Sequence, residues 1–119
     1  MANINDSLAE LMQIDGALCA AIVDSNSGMV LGSAGAGVDI TLAAAGNTEV
    51  VRAKSRTMQS LKLNDNIEDI LITLGKQFHI IRPTASASGL FIYVVLDKAR
   101  ANLALARHKT SAVDSNLKI

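Results

Sequence analysis

This 119-residue chain is short of most things that usually announce a function. Its only aromatic residues are Phe78, Phe91 and Tyr93, so any core must be assembled from Ala, Val, Ile and Leu. Cys19 is the single cysteine, which excludes an internal disulfide and fits a reducing compartment. Pro83, the single proline, lies inside an apolar region, so no proline-marked linker divides the chain. Lys and Arg together number 11, as do Asp and Glu. There is then no net field to gather nucleic acid or an anionic membrane. No apolar run reaches the ~18–20 residues that cross a bilayer. The opening MANINDSLAEL has no basic stretch leading into an apolar one, so no secretory leader is expected. A soluble, cytoplasmic single domain follows, with no nucleic-acid or membrane partner.

Reactive constellations are missing too. Gly32, Gly35 and Gly37 lie between a strand and a helix, but in the order G-x-x-G-x-G, not the dinucleotide fingerprint G-x-G-x-x-G. They read as a flexible connector. Gly75-Lys76 is followed by Gln77, where a phosphate loop needs Ser or Thr. Asp24-Ser-Asn-Ser-Gly28 starts like a calcium loop, yet its glycine comes one position early and Gly35 stands where the bidentate Glu belongs. Cys19, His79 and His108 show no close metal-ligand spacing, and a cysteine in an apolar strand is usually an inert small hydrophobe. No catalytic residue, metal ligand or cofactor site is assigned, and no cofactor is expected.

What is present is a regular alternation of elements. Ile4, Leu8, Leu11 and Met12 recur at helical intervals and predict a short helix, starting at Asn3 or at the capping box Ser7–Glu10 and stopping near Gly16. Strands are expected over Ala17–Val23 and from Met29 to about Gly32, joined through Asp24–Gly28. Ala17, Cys19 and Ala21 share one small face by alternation, which lets a helix approach closely. Asp39 is the expected cap of the longest helix, Ile40 to about Leu61. Ile40, Ala43, Ala44, Val50, Val51, Met58 and Leu61 fall on one side of it, and Leu42, Gly46, Glu49 and Ala53 on another. This helix therefore has two sides to cover. Its basic second half, with Arg52, Lys54, Arg56 and Lys62, suits the negative end of a helix dipole.

Three strands are predicted near Ile67–Leu74, Gln77–Pro83 and Leu90–Leu96, the last without polar alternation, as in a central strand covered on both faces. Asp97 is the expected cap of the final helix, where Ala99, Leu103, Ala106 and Val113 form one stripe and Ala101, Leu105 and Ala112 a second. The order α-β-β-α-β-β-β-α predicts an antiparallel α+β sandwich.

That order, with IVDSNSGMVLGSAG, LGKQFHIIRP and GLFIYVVLDKARANLALARH, resembles the roadblock/dynein light-chain family over nearly the whole chain. The Asp24…Gly28 hairpin, His79-Ile-Ile-Arg82-Pro83 and Asn102-Leu103-Ala104 carry the likeness. The resemblance implies a roadblock-like domain, placed over residues 1–113, while residues 114–119 read from their own composition as a polar tail. It implies a five-stranded antiparallel sheet with the long helix on one face and the two terminal helices on the other. It further implies a homodimer whose long helices lie side by side and whose first strand after that helix pairs with its mate. The interface would then hold Leu42, Gly46, Glu49 and Ala53 with Ile67, Asp69, Leu71 and Thr73. Members of the family serve as platforms or as partners of small Ras-like GTPases without catalysis of their own. A fold-level likeness to PAS and profilin-like domains leaves a small-molecule sensor as the alternative.

Overall fold

The computed structural model describes residues 3–118. It contains α1 (Ile4–Leu11), β1 (Ala17–Asp24), β2 (Val30–Gly35), α2 (Ile40–Ser60), β3 (Ile70–Thr73), β4 (Gln77–Pro83), β5 (Leu90–Asp97) and α3 (Leu103–Asn116). The strands form one sheet in the order β2-β1-β5-β4-β3, and each neighbouring pair is antiparallel. The expected α+β sandwich is therefore the fold.

β5 lies at the centre of the sheet, and every residue from Leu90 to Leu96 is buried. Its alternate side chains feed two separate cores. Ile92, Val94 and Leu96 join Leu8 and Leu11 of α1 and Ala106 and Val113 of α3. Phe91, Tyr93 and Val95 join Ala44 and Val51 of α2. An unbroken apolar run is what a strand buried on both faces requires, since successive side chains point to opposite sides.

α1 starts at Asn3, whose Oδ1 accepts the Asp6 amide at 2.8 Å. It seats on β2 because Gly32 lacks a side chain. A Cβ there would lie 2.8 Å from Ile4 Cγ2 and 3.0 Å from Leu8 Cδ1. On the other sheet face, Cys19 and Ala21 present the small surface against which Ala44 of α2 is buried.

Five expectations need correction. Gly32 to Gly35 belong to β2, so four of the six residues of the presumed connector, Gly32 to Gly37, are strand. Ala17 leaves the Cys19/Ala21 face and joins the α1/α3 core, because the β1–β5 register shifts between Ala17 and Cys19 and resets the alternation. β3 covers only Ile70–Thr73, shorter than the apolar run suggested. α3 is capped by Asn102, whose Oδ1 accepts the Leu105 amide at 3.0 Å. Asp97 instead closes a turn, accepting the Arg100 and Ala101 amides on its carbonyl. Ala99 therefore precedes the helix and is exposed, as are Leu105 and Ala112 of the supposed second stripe. Finally, α3 runs on to Asn116 and buries Asp114 and Leu117, so the polar tail does not begin at residue 114.

Candidate interaction surface

The two sheet faces are closed to different degrees. α1 and α3 cover one, whereas α2 alone stands over the other. The buried stripe of α2 is narrow and consists of Ala44, Thr48 and Val51, with Ser55 and Met58 half-buried. Thr48 satisfies its hydroxyl on the Ala44 carbonyl at 2.7 Å, one turn back in its own helix. Val50 and Leu61, assigned from spacing to the covered side, are exposed, Leu61 at 61%. A stripe read at 100° per residue is broader than the strip of sheet that this single helix contacts.

The opposite side of α2 is bare. Leu42 is 71% exposed, and Gly46 and Ala53 are exposed. A Cβ at Gly46 would meet nothing within 4 Å. Glu49 reaches only its own helix, with Oε1 3.4 Å from Arg52 Nη1. These four residues lie in one line along the helix because their spacing of four, three and four follows the helical repeat.

β3 is an edge strand, and the register Leu71↔Ile80 and Thr73↔Phe78 puts Leu71 and Thr73 on the α1/α3 side. Leu71 is 38% exposed. Ile70 and Ile72 face the α2 core but are only half-buried. Asp69 precedes the strand and is engaged within the chain. It makes a bidentate pair with Arg107 of α3, at 2.7 Å to Nε and 2.9 Å to Nη2. Ile67 lies elsewhere again, in the wall of a cleft of about 630 Å³. The structure thus groups the four α2 residues, keeps Leu71 and Thr73 together at the sheet edge with Asp69 just before them tied to α3, and sets Ile67 apart in the cleft wall.

That cleft opens between the second half of α2 and one end of the sheet, beside Ser25, Met58, Asn66, Ile67 and Ser88. Its β4–β5 wall is fixed by Asp114, the buried acid that spacing alone had left outside the domain. One carboxylate, 1% exposed, accepts Arg82 Nε at 2.9 Å, the Ala85 amide at 3.0 Å and the Ser86 hydroxyl at 3.0 Å. Burial alone would raise its pKa, but these donors outweigh it and hold the carboxyl below its ordinary range. The signal was available: Ala106, Thr110, Val113, Asp114 and Leu117 continue one helical face.

Beneath α2, His79 Nδ1 lies 3.0 Å from Tyr93 Oη and His79 Nε2 lies 2.9 Å from Gln77 Oε1. Burial lowers the His79 pKa and raises those of Tyr93 and Cys19, so all three favour their neutral forms. A neutral imidazole can accept from Tyr93 on one nitrogen and donate to Gln77 from the other, which serves packing. His108 stands apart, on an exposed position of α3. Among the described residues no three His, Cys, Asp or Glu side chains gather where they could hold a metal ion. No helix among them is long and apolar enough to cross a membrane.

The fold is that of the Roadblock/LC7 domains. A Roadblock/LC7 domain from Streptomyces avermitilis superposes with a TM-score of 0.82 at 12% identity, covering 97% of this chain and 94% of that one. Myxococcus xanthus MglB does so with a TM-score of 0.82 at 20% identity, over 94% of this chain and 89% of that one. A structure described as MglB with a tetrameric arrangement matches with a TM-score of 0.72 at 14% identity, over 95% and 88%. No family model matches the sequence, and no curated protein sequence matches it.

Proposed function

We propose that this chain is a non-catalytic, cytoplasmic interaction module that pairs with a second copy of itself. In that form it binds or regulates a small Ras-like GTPase, or scaffolds a larger complex. The observation that carries the reading is the bare line Leu42, Gly46, Glu49, Ala53 on a helix whose opposite side is already committed to the core. A monomer gains nothing from keeping a leucine and two small residues there. A second α2 laid alongside would cover Leu42 and use Gly46 and Ala53 for close backbone approach.

β3 supports the same reading. It is a lysine-free edge strand with Ile70 and Ile72 half-covered, and a mate strand would satisfy its open hydrogen bonds. The tetrameric arrangement of one MglB is in keeping with association through such surfaces. Because Asp69 is occupied by Arg107, the pairing is assigned to Leu71, Thr73 and the α2 line, without Asp69 as a contact.

Gly46→Arg and Ala53→Arg test the assignment. Neither side chain has a neighbour to displace in the monomer, so circular dichroism should be unchanged while light scattering reports a fall from two subunits to one. Capture of a GTPase from the native cytoplasm, and its GTP turnover with and without the module, should respond to the same variants. If both variants stay paired and retain their partner, the surface is wrongly assigned. The cleft beside Met58 favours a second reading, a small-molecule sensor. Thermal stabilisation across a metabolite panel, unaffected by either arginine variant, would favour it over the first.

A further inference from the structure

The formal neutrality of the chain conceals a split. Residues 1–51 hold six carboxylates and no lysine or arginine, whereas residues 52–119 hold all eleven cations and five carboxylates. The topology turns part of this into a spatial polarity. α1, β1 and β2 stand together at one side of the sheet, and β3 and β4 at the other. The acidic side ends in β2, the second open edge of the sheet.

β2 pairs with β1 from Val30 to Gly35 and has no strand on its other side. Leu31, Ser33 and Gly35 are exposed along it, and Met29 just before it is 66% exposed. It contains no lysine or proline, the residues that commonly blunt an open edge. Asp24 lies before it in the β1–β2 turn and Asp39 beyond it at the cap of α2. Arg52 is the cation that reaches this region, and its guanidinium is committed to the Asn26 carbonyl in that turn.

We propose that the free edge of β2 is a docking site for an extended, lysine- or arginine-bearing segment of another protein, which adds to the sheet as a sixth strand. Backbone hydrogen bonds to β2 supply the pairing, Met29 and Leu31 cover an apolar side chain of the incoming strand, and the surrounding carboxylates select its charge. A second copy of this chain is a poorer occupant. Its β2 edge carries the same carboxylates, and its β3 edge has four residues and is immediately preceded by Glu68 and Asp69. The inference does not depend on β3 pairing, because β2 stands at the opposite end of the sheet.

The test uses the full chain and a blocked hexapeptide, Lys-Val-Thr-Val-Thr-Lys, against its glutamate-ended counterpart. Amide exchange of residues 30–35 should slow on adding the lysine peptide, while that of residues 70–73 does not. The glutamate peptide should bind at least about tenfold more weakly, and the difference should shrink as salt shortens the reach of the field. The double variant Glu10→Lys with Asp15→Lys, two exposed positions on the acidic side, should weaken the lysine peptide several-fold with an unchanged circular dichroism spectrum. The proposal is overturned if neither peptide protects residues 30–35, if both protect them equally, or if protection maps to β3 or the cleft. It is also overturned if residues 30–35 become protected by raising the concentration of the chain alone, which would assign the edge to a second copy. Failure of the α2 pairing is read separately, from subunit mass without peptide.

Discussion

The two faces of the sheet use similar apolar residues to different ends. On one, α1 and α3 together close a core in which Leu11, Ile22, Ile80, Ile92, Val94 and Leu96 are fully buried. On the other, one helix covers Cys19, Ala21, Val23 and Tyr93, leaves Ile70 and Ile72 half-covered, and turns its own far side to solvent. A face sealed within the monomer can stabilise only the monomer. A face left half-sealed contributes its remaining apolar surface when something else arrives, at roughly 25 cal/mol per Å² removed from water.

The largest effect expected concerns the sealed side and its lock. Asp114→Ala removes one partner of a buried charge pair and releases the Ala85 and Ser86 donors, which should cost about 3–5 kcal/mol. A urea midpoint unchanged by this substitution would show that the β4–β5 loop is held by other means. Acid should act in the same direction. Because the folded pKa of Asp114 is depressed, its contribution is complete above the ordinary carboxylate range near about 4 and fades as pH falls through the lower folded value. Asp114→Asn should flatten that part of the stability–pH curve, and a wild-type curve already flat there would contradict the assignment.

Next come two isoleucines that divide the faces directly. Ile92→Ala, in the sealed core, should cost about 2–5 kcal/mol at every protein concentration. Ile72→Ser, on the half-sealed face, should cost less in dilute protein and progressively more as concentration rises, since the proposed pairing would complete its burial. Identical concentration dependence for both would erase the distinction between the faces. The smallest effect is expected from Asp69→Asn, which removes the charge from the bidentate pair with the exposed Arg107. Its thermal midpoint should stay close to that of the wild type, whereas a large loss would place this pair among the structural supports.

Most of the fold was legible because its signals are local and periodic. The apolar run of Leu90–Leu96 places β5 at the centre, and the Asp39 side chain caps α2 as expected, accepting the Leu42 amide at 3.1 Å. Misreadings arose where one residue alters the phase. The shift at Ala17 sends it to the opposite core, and a turn after Asp97 moves the start of α3 by five residues, from Lys98 to Leu103. The exposed line of candidate residues was legible on α2, where Leu42, Gly46, Glu49 and Ala53 recur at the helical repeat. It was not legible around β3, because the pairing of Asp69 with Arg107 and the turn of Ile67 into the cleft are contacts between distant segments. Asp114 escaped for a related reason, since a lone acid near a polar terminus looks solvated until its donors are in place.

Gly35 imposes a further constraint. Its backbone is left-handed, with φ of +79°, and an added Cβ would fall 2.2 Å from the Leu18 carbonyl oxygen and 2.8 Å from Leu18's neighbour Cys19 at Cα. Strand β1 and the departing chain therefore touch backbone to backbone at this point, leaving no room for even a methyl group. Such a spot admits only glycine, whatever apolar residues surround it. A glycine at the sixth residue of the second hairpin strand would mark more distant copies of this architecture once their hydrophobic spelling has changed.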